Sequence, residues 1–410
     1  MRVGGSCDAA LPLVAATLLA SEPSTLHDLP RVTDVADLLR TLSALGVSLV
    51  DTMGGLRIDA ATIARQEIPW DPMHRPRGGA LLLGPLLAQK GSARVPLPAG
   101  GALAIARFDD HVRALVALGA RATIERGELT LKKKRLAGAH ITLAFPSLTT
   151  TASLMMAATR ARGRTTIEGA ARGPELEDLG LLLNKMGGTI EGAGSSLVTV
   201  SGVDELRGVE HTVAPDRWLA ATLLLAAALT GGDVLVENAP PESLDAVLAR
   251  TRRAGVDVQV EAGGVRARAT EPLSPIDVTA QRYPDPASTG FPTALLPHFI
   301  ALAARAEGES LFTAPASAYG AIDDRHLGEL RRLGVKLTSD GRTTIVHGPS
   351  PLTATPIVAH DPRASASLVL AALAADGETL LHAAERLARR CEDLDAALRS
   401  LGADVSSIDK

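Results

Sequence analysis

Residues 9–20 read Ala-Ala-Leu-Pro-Leu-Val-Ala-Ala-Thr-Leu-Leu-Ala, an apolar run of helical length that precedes a short strand-like run, Ser24–Leu26. The same succession of apolar helix, turn and strand recurs five times further along the chain. The copies are Ala80–Lys90 before Ala93–Val95, Thr151–Ala161 before Thr165–Ile167, Trp218–Leu229 before Val234–Val236, Ala294–Ala306 before Ser310–Phe312, and Ala364–Ala375 before Thr379–Leu381. Because a fixed period decides the architecture before any local detail, the chain is predicted to contain six copies of one unit.

Each copy continues into a second, amphipathic helix, a glycine and another strand. A glycine just after a helix is the usual C-terminal cap, and here it recurs roughly every 70 residues. The closing glycines are Gly46, Gly119, Gly187, Gly255, Gly334 and Gly402. The first helix of each unit is apolar nearly all round and is predicted to be buried, whereas the second carries a charged face, as in Asp245–Gly255. The predicted fold class is therefore α/β, with repeated βαβαβ-type units.

Six units group naturally into two domains. The chain has 410 residues, whereas single cores stop growing at about 250 residues. The linker is predicted near Thr212–Pro215, which gives a first three-unit domain over 7–213 and a second over 214–410 together with 1–6. The composition, 46% hydrophobic and 21% charged, is that of a globular protein.

The alternative for the N-terminus is a signal peptide, with Arg2 before the apolar run that starts at Ala9. Asp8 interrupts that pattern, and similar runs recur inside the chain. No apolar run reaches the ~18 residues that cross a bilayer.

Charge and cysteine content narrow the classes of partner. A net charge of -4 argues against nucleic acid or an anionic membrane as a partner. The basic run Lys132–Arg135 fits a solvated hairpin better than a nucleic-acid patch. Cys7 and Cys391 cannot form a disulfide framework, which favours a reducing cytoplasm. No phosphate-binding glycine loop, nucleophile elbow or zinc spacing is present, so no metal or cofactor is predicted.

The starts of the six apolar helices are candidate anion sites, since a helix N-terminus presents free N–H groups and a partial positive charge. Asp8, Ser147, Asp216 and Thr293 are predicted to cap four of these helices. Arginine does not cap helix N-termini, and the helix dipole disfavours a positive charge at that end. Arg77 and Arg363, at two helix starts, therefore predict a bound phosphate or carboxylate. The predicted partner is a small anionic molecule.

Six stretches of the chain carry a family resemblance, namely Ala9–Leu19, Leu83–Ala88, Leu136–Ile141, Met155–Thr159, Gly208–Val213 and Asp361–Leu370. They resemble the enolpyruvyl (carboxyvinyl) transferase family, in particular its UDP-N-acetylglucosamine 1-carboxyvinyltransferases. The resemblance covers essentially the whole chain. It implies an inverse α/β barrel, with two domains of three units that close on a cleft.

The resemblance also implies a reaction and a set of site residues. The enolpyruvyl group of phosphoenolpyruvate passes to a substrate hydroxyl through a tetrahedral ketal, and phosphate leaves. Arg77, Arg363 and Arg389 fall on family arginines that bind phosphoenolpyruvate or stabilise the closed form. Asp109 and His111 fall on the stretch that holds the uridine end of the nucleotide sugar, and Ser147 on a neighbouring nucleotide contact. From the residues alone, His111 is better explained as a hydrogen-bonded structural histidine than as a ligand-binding residue.

Several family positions differ here. The lysine-asparagine pair before the first helix is Cys7-Asp8, and the mobile-loop acid aligns with Gly101. The aspartate expected as base is Ala294. The loop arginine aligns with Ala106, although Arg107 is adjacent and is kept as a candidate substrate-binding residue.

A general acid and a general base each raise the reaction rate about 10²- to 10⁴-fold. The loss of both therefore predicts that the ordinary reaction is negligible. Cys7, at a helix start, is a candidate nucleophile or acid, and Asp8 a second candidate; the alternative for Cys7 is a small apolar filler. Asp285, Asp323 and Asp324 are further carboxylates that could approach the cleft.

Three functions follow as hypotheses. The first is an enolpyruvyl-transferase homologue that binds a nucleotide or UDP-sugar between its domains, with altered chemistry. The second is a non-catalytic binding or regulatory homologue, and the third is carboxyvinyl transfer to a different hydroxyl compound through replacement residues. Relatives also carry a β segment before the first helix, so one sheet of the second domain is expected to have an unpaired edge.

Overall fold

The computed structural model describes residues 1–61, 63–68, 78–97, 101–133, 135–269, 272–280, 291–313 and 325–408, with the backbone alone at 101–107 and 363. The chain divides into two compact units. The N-terminal unit is Gly5–Ala214, and the C-terminal unit is Pro215–Lys410 together with Met1–Gly4.

The N-terminal unit alternates helices with short strands. Its α-helices are α1 (Cys7–Ala16), α2 (Thr33–Ala44), α3 (Leu83–Lys90), α4 (Gly101–Ala117), α5 (Leu148–Ala158) and α6 (Pro174–Lys185), with 3₁₀ helices at Thr17–Leu19 and Gly79–Leu82. Its strands are β1 (Ser24–His27), β2 (Ser48–Thr52), β3 (Gly55–Asp59), β4 (Ser92–Pro96), β5 (Arg121–Glu125), β6 (Glu128–Lys132), β7 (His140–Thr142), β8 (Arg164–Glu168), β9 (Thr189–Glu191), β10 (Leu197–Ser201) and β11 (Glu210–Thr212).

The C-terminal unit repeats this succession. Its α-helices are α7 (Arg217–Thr230), α8 (Pro241–Arg253), α9 (Leu296–Ala303), α10 (Arg325–Arg332), α11 (Pro362–Leu373) and α12 (Leu394–Ser400), with 3₁₀ helices at Thr293–Leu295 and Ala384–Arg389. Its strands are β12 (Asp233–Glu237), β13 (Asp257–Glu261), β14 (Gly264–Arg268), β15 (Val278–Thr279), β16 (Gly308–Thr313), β17 (Leu337–Ser339), β18 (Thr343–Gly348), β19 (Ile357–Val358) and β20 (Leu381–His382).

The apolar helices form the centre of each unit, as the sequence predicts. In the N-terminal unit α5 packs against α1 and α3, and its residues from Thr150 to Ala158 are all buried. In the C-terminal unit α7, α9 and α11 pack against one another. Strands such as β8 and β12 alternate buried and more exposed residues, so one face of each sheet covers the helices. Helices inside and sheets outside are the inverse α/β arrangement, and the predicted fold class is confirmed.

The strand orders are β11-β1-β3-β2, β4-β6-β5, β7-β8-β10-β9, β12-β14-β13, β15-β16-β18-β17 and β19-β20. The three four-stranded sheets each combine one parallel pair with antiparallel pairs, and β19-β20 is a parallel pair. The strands of β4-β6-β5 and β12-β14-β13 are antiparallel, and these two sheets add single parallel bridges at Glu67–Arg94 and Arg2–Glu237. In the sheet β11-β1-β3-β2, β1 runs parallel to β11 and antiparallel to β3. The parallel partner comes from another repeat, so each repeat is tied to a neighbour in the fold. The last predicted strand, Thr379–Leu381, is shorter than expected, because its pairing with β19 begins only at Leu381.

The glycines that close the six amphipathic helices all adopt the left-handed conformation, with φ between 91° and 100°. Residues other than glycine rarely adopt this conformation, because their Cβ atom would meet the backbone. The predicted C-terminal caps are confirmed.

The first residues of the chain pair with the C-terminal unit. Val3 donates its N–H to the carbonyl of Glu237 at 3.0 Å, and the N–H of Glu237 donates to the carbonyl of Met1 at 2.8 Å. Val3 is fully buried. The unpaired edge expected from the sequence is therefore wrong at this end of β12. Among the residues that the structure describes, no helix combines the length and the apolar character needed to cross a membrane.

Candidate functional site

Two of the predicted nucleotide-binding residues meet at the start of α5. Ser147 caps this helix, since its Oγ accepts the N–H of Thr150 at 3.2 Å. Thr149 Oγ1 lies 3.2 Å from Ser147 Oγ and 3.1 Å from His111 Nε2, although His111 is 38 positions earlier in the chain than Thr149. The three side chains therefore form a continuous hydrogen-bonded set, and the predicted capping role of Ser147 is confirmed.

His111 is held uncharged in this set. Its side chain is buried, and burial lowers the pKa to about 4, because charging the ring away from water is unfavourable. Its Nδ1 has no hydrogen-bond partner among the described residues. The Phe108 ring lies 6.5 Å away in a tilted arrangement. His111 thus has one buried ring nitrogen without a partner among the described residues and carries no positive charge.

Asp109 points to the surface beside this set. Its carboxylate pairs with Arg113 one helical turn later, at 2.5 Å, and both side chains are substantially exposed. The next residue, Asp110, has a raised pKa because of burial, although the positive charge of Arg113 opposes the rise. An open cleft of about 300 Å³ lies alongside, lined by Asp110, Arg113, His140, Thr142, Leu143 and Phe145 among others.

The candidate catalytic pair lies at the start of α1. Cys7 is its first residue and is only 1% exposed. Ser6 occupies the cap position without a side-chain cap bond, and Asp8 lies inside the first turn. The prediction that Asp8 caps the helix is therefore wrong, although a carboxylate in the first turn is still favoured by the helix dipole.

Of the other two predicted caps, one is confirmed and one is wrong. Asp216 caps α7, since its Oδ1 accepts the N–H groups of Trp218 at 2.8 Å and Leu219 at 3.1 Å. Thr293 does not cap its helix, because the 3₁₀ turn starts at Thr293 itself and Pro292 holds the cap position. Ala294 is half-buried in that turn.

The predicted arginines are only partly described. Arg77 lies outside the described residues, as do Asp285, Asp323 and Asp324, and the side chains of Arg107 and Arg363 are likewise outside them. The backbone of Arg363 lies in the first turn of α11. Arg389 is exposed at the end of the 3₁₀ helix Ala384–Arg389. Gly101 begins α4, and Ala106 lies within it.

Three residues of interest, Thr149, Arg390 and Trp218, were not predicted. Thr149 joins His111 to Ser147. The feature of the sequence that could have indicated this role is a second hydroxyl residue at the same helix start. Arg390 is buried, 8% exposed, and its Cζ lies 5.2 Å from the centroid of the Trp218 ring. No pattern in the sequence indicates that pairing, since 171 residues separate the two in the chain.

Other histidines have structural partners. The buried His211 Nε2 lies 2.7 Å from Asp178 Oδ1, and Asp178 Oδ2 accepts the N–H of Ala214 at 2.9 Å. His298 Nε2 lies 3.1 Å from Thr222 Oγ1. Within the described ranges, no group of His, Cys, Asp and Glu side chains is arranged to hold a metal ion.

Comparison with known proteins identifies the family. The family model of EPSP synthase (3-phosphoshikimate 1-carboxyvinyltransferase) matches residues 1–398. The UDP-N-acetylglucosamine 1-carboxyvinyltransferase of Sorangium cellulosum (strain So ce56) is 40% identical, over 100% of this chain and 96% of the relative. The protein of the same name from Myxococcus xanthus (strain DK1622) is 39% identical, over 99% of this chain and 95% of the relative. The chain belongs to the enolpyruvyl transferase family.

Solved structures agree with this assignment. The enolpyruvyl transferase NikO from Streptomyces tendae is 26% identical, with a TM-score of 0.87 over 98% of this chain and 94% of that one. An EPSP synthase from Acinetobacter baumannii, 19% identical, shares the fold with a TM-score of 0.78 over 98% of this chain and 95% of that one. The predicted enolpyruvyl transferase family and its two-domain α/β fold are confirmed.

Proposed function

We propose that this enolpyruvyl transferase homologue binds an anionic nucleotide or UDP-sugar, with the nucleotide at the His111–Thr149–Ser147 set, and that its chemistry departs from standard carboxyvinyl transfer. The observation that carries the proposal is the meeting of these three side chains at the start of α5. A helix start offers N–H groups and a partial positive charge to an anionic ligand. Two relatives named for UDP-N-acetylglucosamine support the choice of ligand class.

The charge state of His111 assigns it to one part of such a ligand. Because burial lowers the pKa to about 4, the ring is neutral at pH 7 and cannot neutralise a phosphate. A neutral imidazole and two hydroxyls suit the uncharged groups of a nucleoside, which both donate and accept hydrogen bonds. The negative groups are then left to arginines, for which Arg77, Arg107, Arg363 and Arg389 are the candidates.

The altered chemistry rests on the positions that would transfer protons. The family's acid and base align with Gly101 and Ala294, and neither glycine nor a methyl group can carry a proton. Cys7-Asp8 also removes the family's cation from the phosphate site and introduces a carboxylate next to it, which weakens binding of phosphoenolpyruvate. With acid and base both missing, a loss of about 10²- to 10⁴-fold for each is expected.

The same positions favour a second candidate, a non-catalytic binding or regulatory homologue. Cys7, buried at the start of α1, would then be an apolar filler. Carboxyvinyl transfer to a different hydroxyl compound is a third outcome that assays can reveal.

Phosphate release separates these functions. The protein is incubated with phosphoenolpyruvate and UDP-N-acetylglucosamine, and then with phosphoenolpyruvate and other hydroxyl acceptors. No release with UDP-N-acetylglucosamine is expected. Turnover at a rate typical of the family would refute altered chemistry, and turnover with another acceptor alone would establish the third candidate. Binding without turnover of any acceptor would favour the second.

A matched pair of cap variants tests the nucleotide site. Ser147→Ala and Asp216→Ala each remove a helix cap, which costs about 1 kcal/mol of stability. Calorimetry with UMP is expected to show roughly fivefold to tenfold weaker binding for Ser147→Ala, the loss of about one hydrogen bond. Asp216→Ala, in the other unit, is expected to bind UMP as the unchanged protein does. Equal weakening in both variants would mean that the nucleotide does not bind at Ser147.

A further inference from the structure

The segment Ala383–Asp393 of the C-terminal unit begins and ends at residues with a strained backbone conformation. Ala383 has φ 57° and Asp393 has φ 42°, and both are left-handed conformations that residues other than glycine seldom adopt. Such conformations persist only where the surrounding structure holds them, and they concentrate at functional positions. The segment carries Arg389 and Arg390.

These two adjacent arginines face opposite environments. Arg389 is exposed, whereas Arg390 is 8% exposed and Cys391 is 3% exposed. The N–H groups of Arg390 and Cys391 both donate to the carbonyl of Leu387, at 3.0 and 2.9 Å. Leu387 and Cys391 belong to the apolar core of the C-terminal unit. The inner side of the segment is therefore fixed, and Arg389 lies on its outer side.

One contact of Arg390 inside the unit is with an aromatic ring. Its guanidinium Cζ lies 5.2 Å from the centroid of the Trp218 indole, and Trp218 is 2% exposed. A planar guanidinium stacks on an indole face and is attracted by its electrons, an interaction that strengthens away from water. This contact links the segment to the start of α7.

Trp218 itself is held on several sides. Its backbone N–H donates to Asp216 Oδ1 at 2.8 Å, and its backbone carbonyl accepts the hydroxyl of Thr222 at 2.8 Å. The His298 ring meets the indole edge-on, with centroids 5.3 Å apart and an interplanar angle of 82°. Because the single hydroxyl hydrogen of Thr222 goes to Trp218, His298 Nε2 must donate to Thr222 Oγ1. The backbone of Trp218 is thus fixed by hydrogen bonds, and its buried indole, which contacts the guanidinium of Arg390 and the ring of His298, is the platform for Arg390.

We propose that Arg390 is a positioning residue, whose guanidinium on the Trp218 platform holds the segment Ala383–Asp393 so that Arg389 is presented to the anionic ligand. The step from the segment to ligand binding rests on the proposed function, in which Arg389 binds phosphoenolpyruvate or another phosphate. The step from Arg390 to the order of the segment does not depend on it.

The first measurement needs no ligand. Hydrogen exchange of the Arg390 and Cys391 amides is followed in the full chain and in Arg390→Met, Arg390→Lys and the control Arg386→Met. Arg386 is an exposed arginine of the same segment that donates to the carbonyl of His360 at 3.0 Å. Exchange is expected to rise roughly tenfold in Arg390→Met, less in Arg390→Lys, and little in Arg386→Met. Unchanged exchange in Arg390→Met would overturn the proposal.

The second measurement is calorimetry with phosphoenolpyruvate and with UMP. Arg390→Met is expected to weaken phosphoenolpyruvate binding about as much as Arg389→Ala does, roughly tenfold, without changing the affinity for UMP. The double variant is expected to be no weaker than Arg389→Ala, because Arg390 acts only through Arg389. Losses that add in the double variant would overturn the positioning role.

The two proposals can fail separately. If the unchanged protein does not bind phosphoenolpyruvate but Arg390→Met still loosens the segment, ligand binding by Arg389 fails and the anchoring by Arg390 stands. If Arg390→Met does not fold, Trp218→Phe replaces it in both measurements. Faster exchange in Trp218→Phe supports the platform, and unchanged exchange contradicts it.

Discussion

At the residue scale, two buried histidines make stability depend on pH. Burial lowers the pKa of His111 to about 4 and that of His298 to about 3, and the positive charge of Arg390 adds to the effect at His298. In the unfolded chain both rings bind a proton near pH 6.5. Between pH 6.5 and the folded pKa the unfolded state therefore holds more protons, and stability falls as the pH falls.

His298→Gln tests this dependence, since the glutamine amide can still donate to Thr222 while carrying no titratable proton. The variant is expected to lose less stability than the unchanged protein between pH 6.5 and pH 4. The difference should reach about 1 kcal/mol per pH unit. Urea unfolding followed by tryptophan fluorescence measures it, because Trp218 touches His298.

His27 is a control of opposite sign. Hydrogen bonds to the Gly54 carbonyl and to Glu210 raise its pKa, so its contribution is present at low pH and is lost as the pH rises through the folded pKa. His27→Gln should therefore lose stability at low pH. An acid dependence that is the same in His298→Gln as in the unchanged protein would contradict the assignment to His298.

At the element scale, the helix-ending glycines differ in what a side chain would meet. At Gly402, with φ 95°, an added Cβ atom would have no heavy atom within 4 Å. At Gly334, with φ 100°, it would lie 2.4 Å from the carbonyl oxygen of Pro351. The two positions belong to the same unit and share the same backbone conformation. Alanine substitutions at the two positions therefore separate the cost of backbone strain from the cost of a steric clash.

Gly402→Ala is expected to destabilise the C-terminal unit by about 1 kcal/mol, the cost of a left-handed alanine. Gly334→Ala should cost more, since the Pro351 backbone must also move. Thermal and urea unfolding of the two variants measure the difference. Equal losses at both positions would mean that the Pro351 contact gives way without cost.

At the scale of the whole molecule, the two units have separate apolar cores. One core draws its residues from Cys7 to Val213, and the other from Val3 and the chain between Trp218 and Leu398. The N-terminal unit is continuous in sequence, whereas the C-terminal unit also uses Met1–Gly4. A core of its own is the requirement for independent folding.

A fragment of residues 5–214 is therefore expected to fold by itself and to unfold cooperatively, as seen by circular dichroism and amide dispersion in NMR. A fragment of residues 215–410 should be less stable than the same unit in the full chain, because it lacks Val3 and the pairing of Met1–Val3 with β12. An unstructured 5–214 fragment would contradict the separation of the cores.

The sequence by itself determined the repeat, the buried helices and the glycine caps. These features are local: an apolar run around a whole helix favours burial, and a left-handed residue after a helix favours glycine. The caps at Ser147 and Asp216 could be predicted for the same reason. Asp8 and Thr293 could not be placed, because the first hydrogen-bonded turn decides which residue becomes the cap.

Only the tertiary structure decided which side chains meet. His111 reaches Ser147 through Thr149, and Arg390 reaches Trp218, because helices and segments far apart in the chain pack side by side. The spacing of residues along the chain carries no record of such contacts. Burial, which lowers the pKa of His111 and of His298, is likewise a property of the packed core and not of the residue alone.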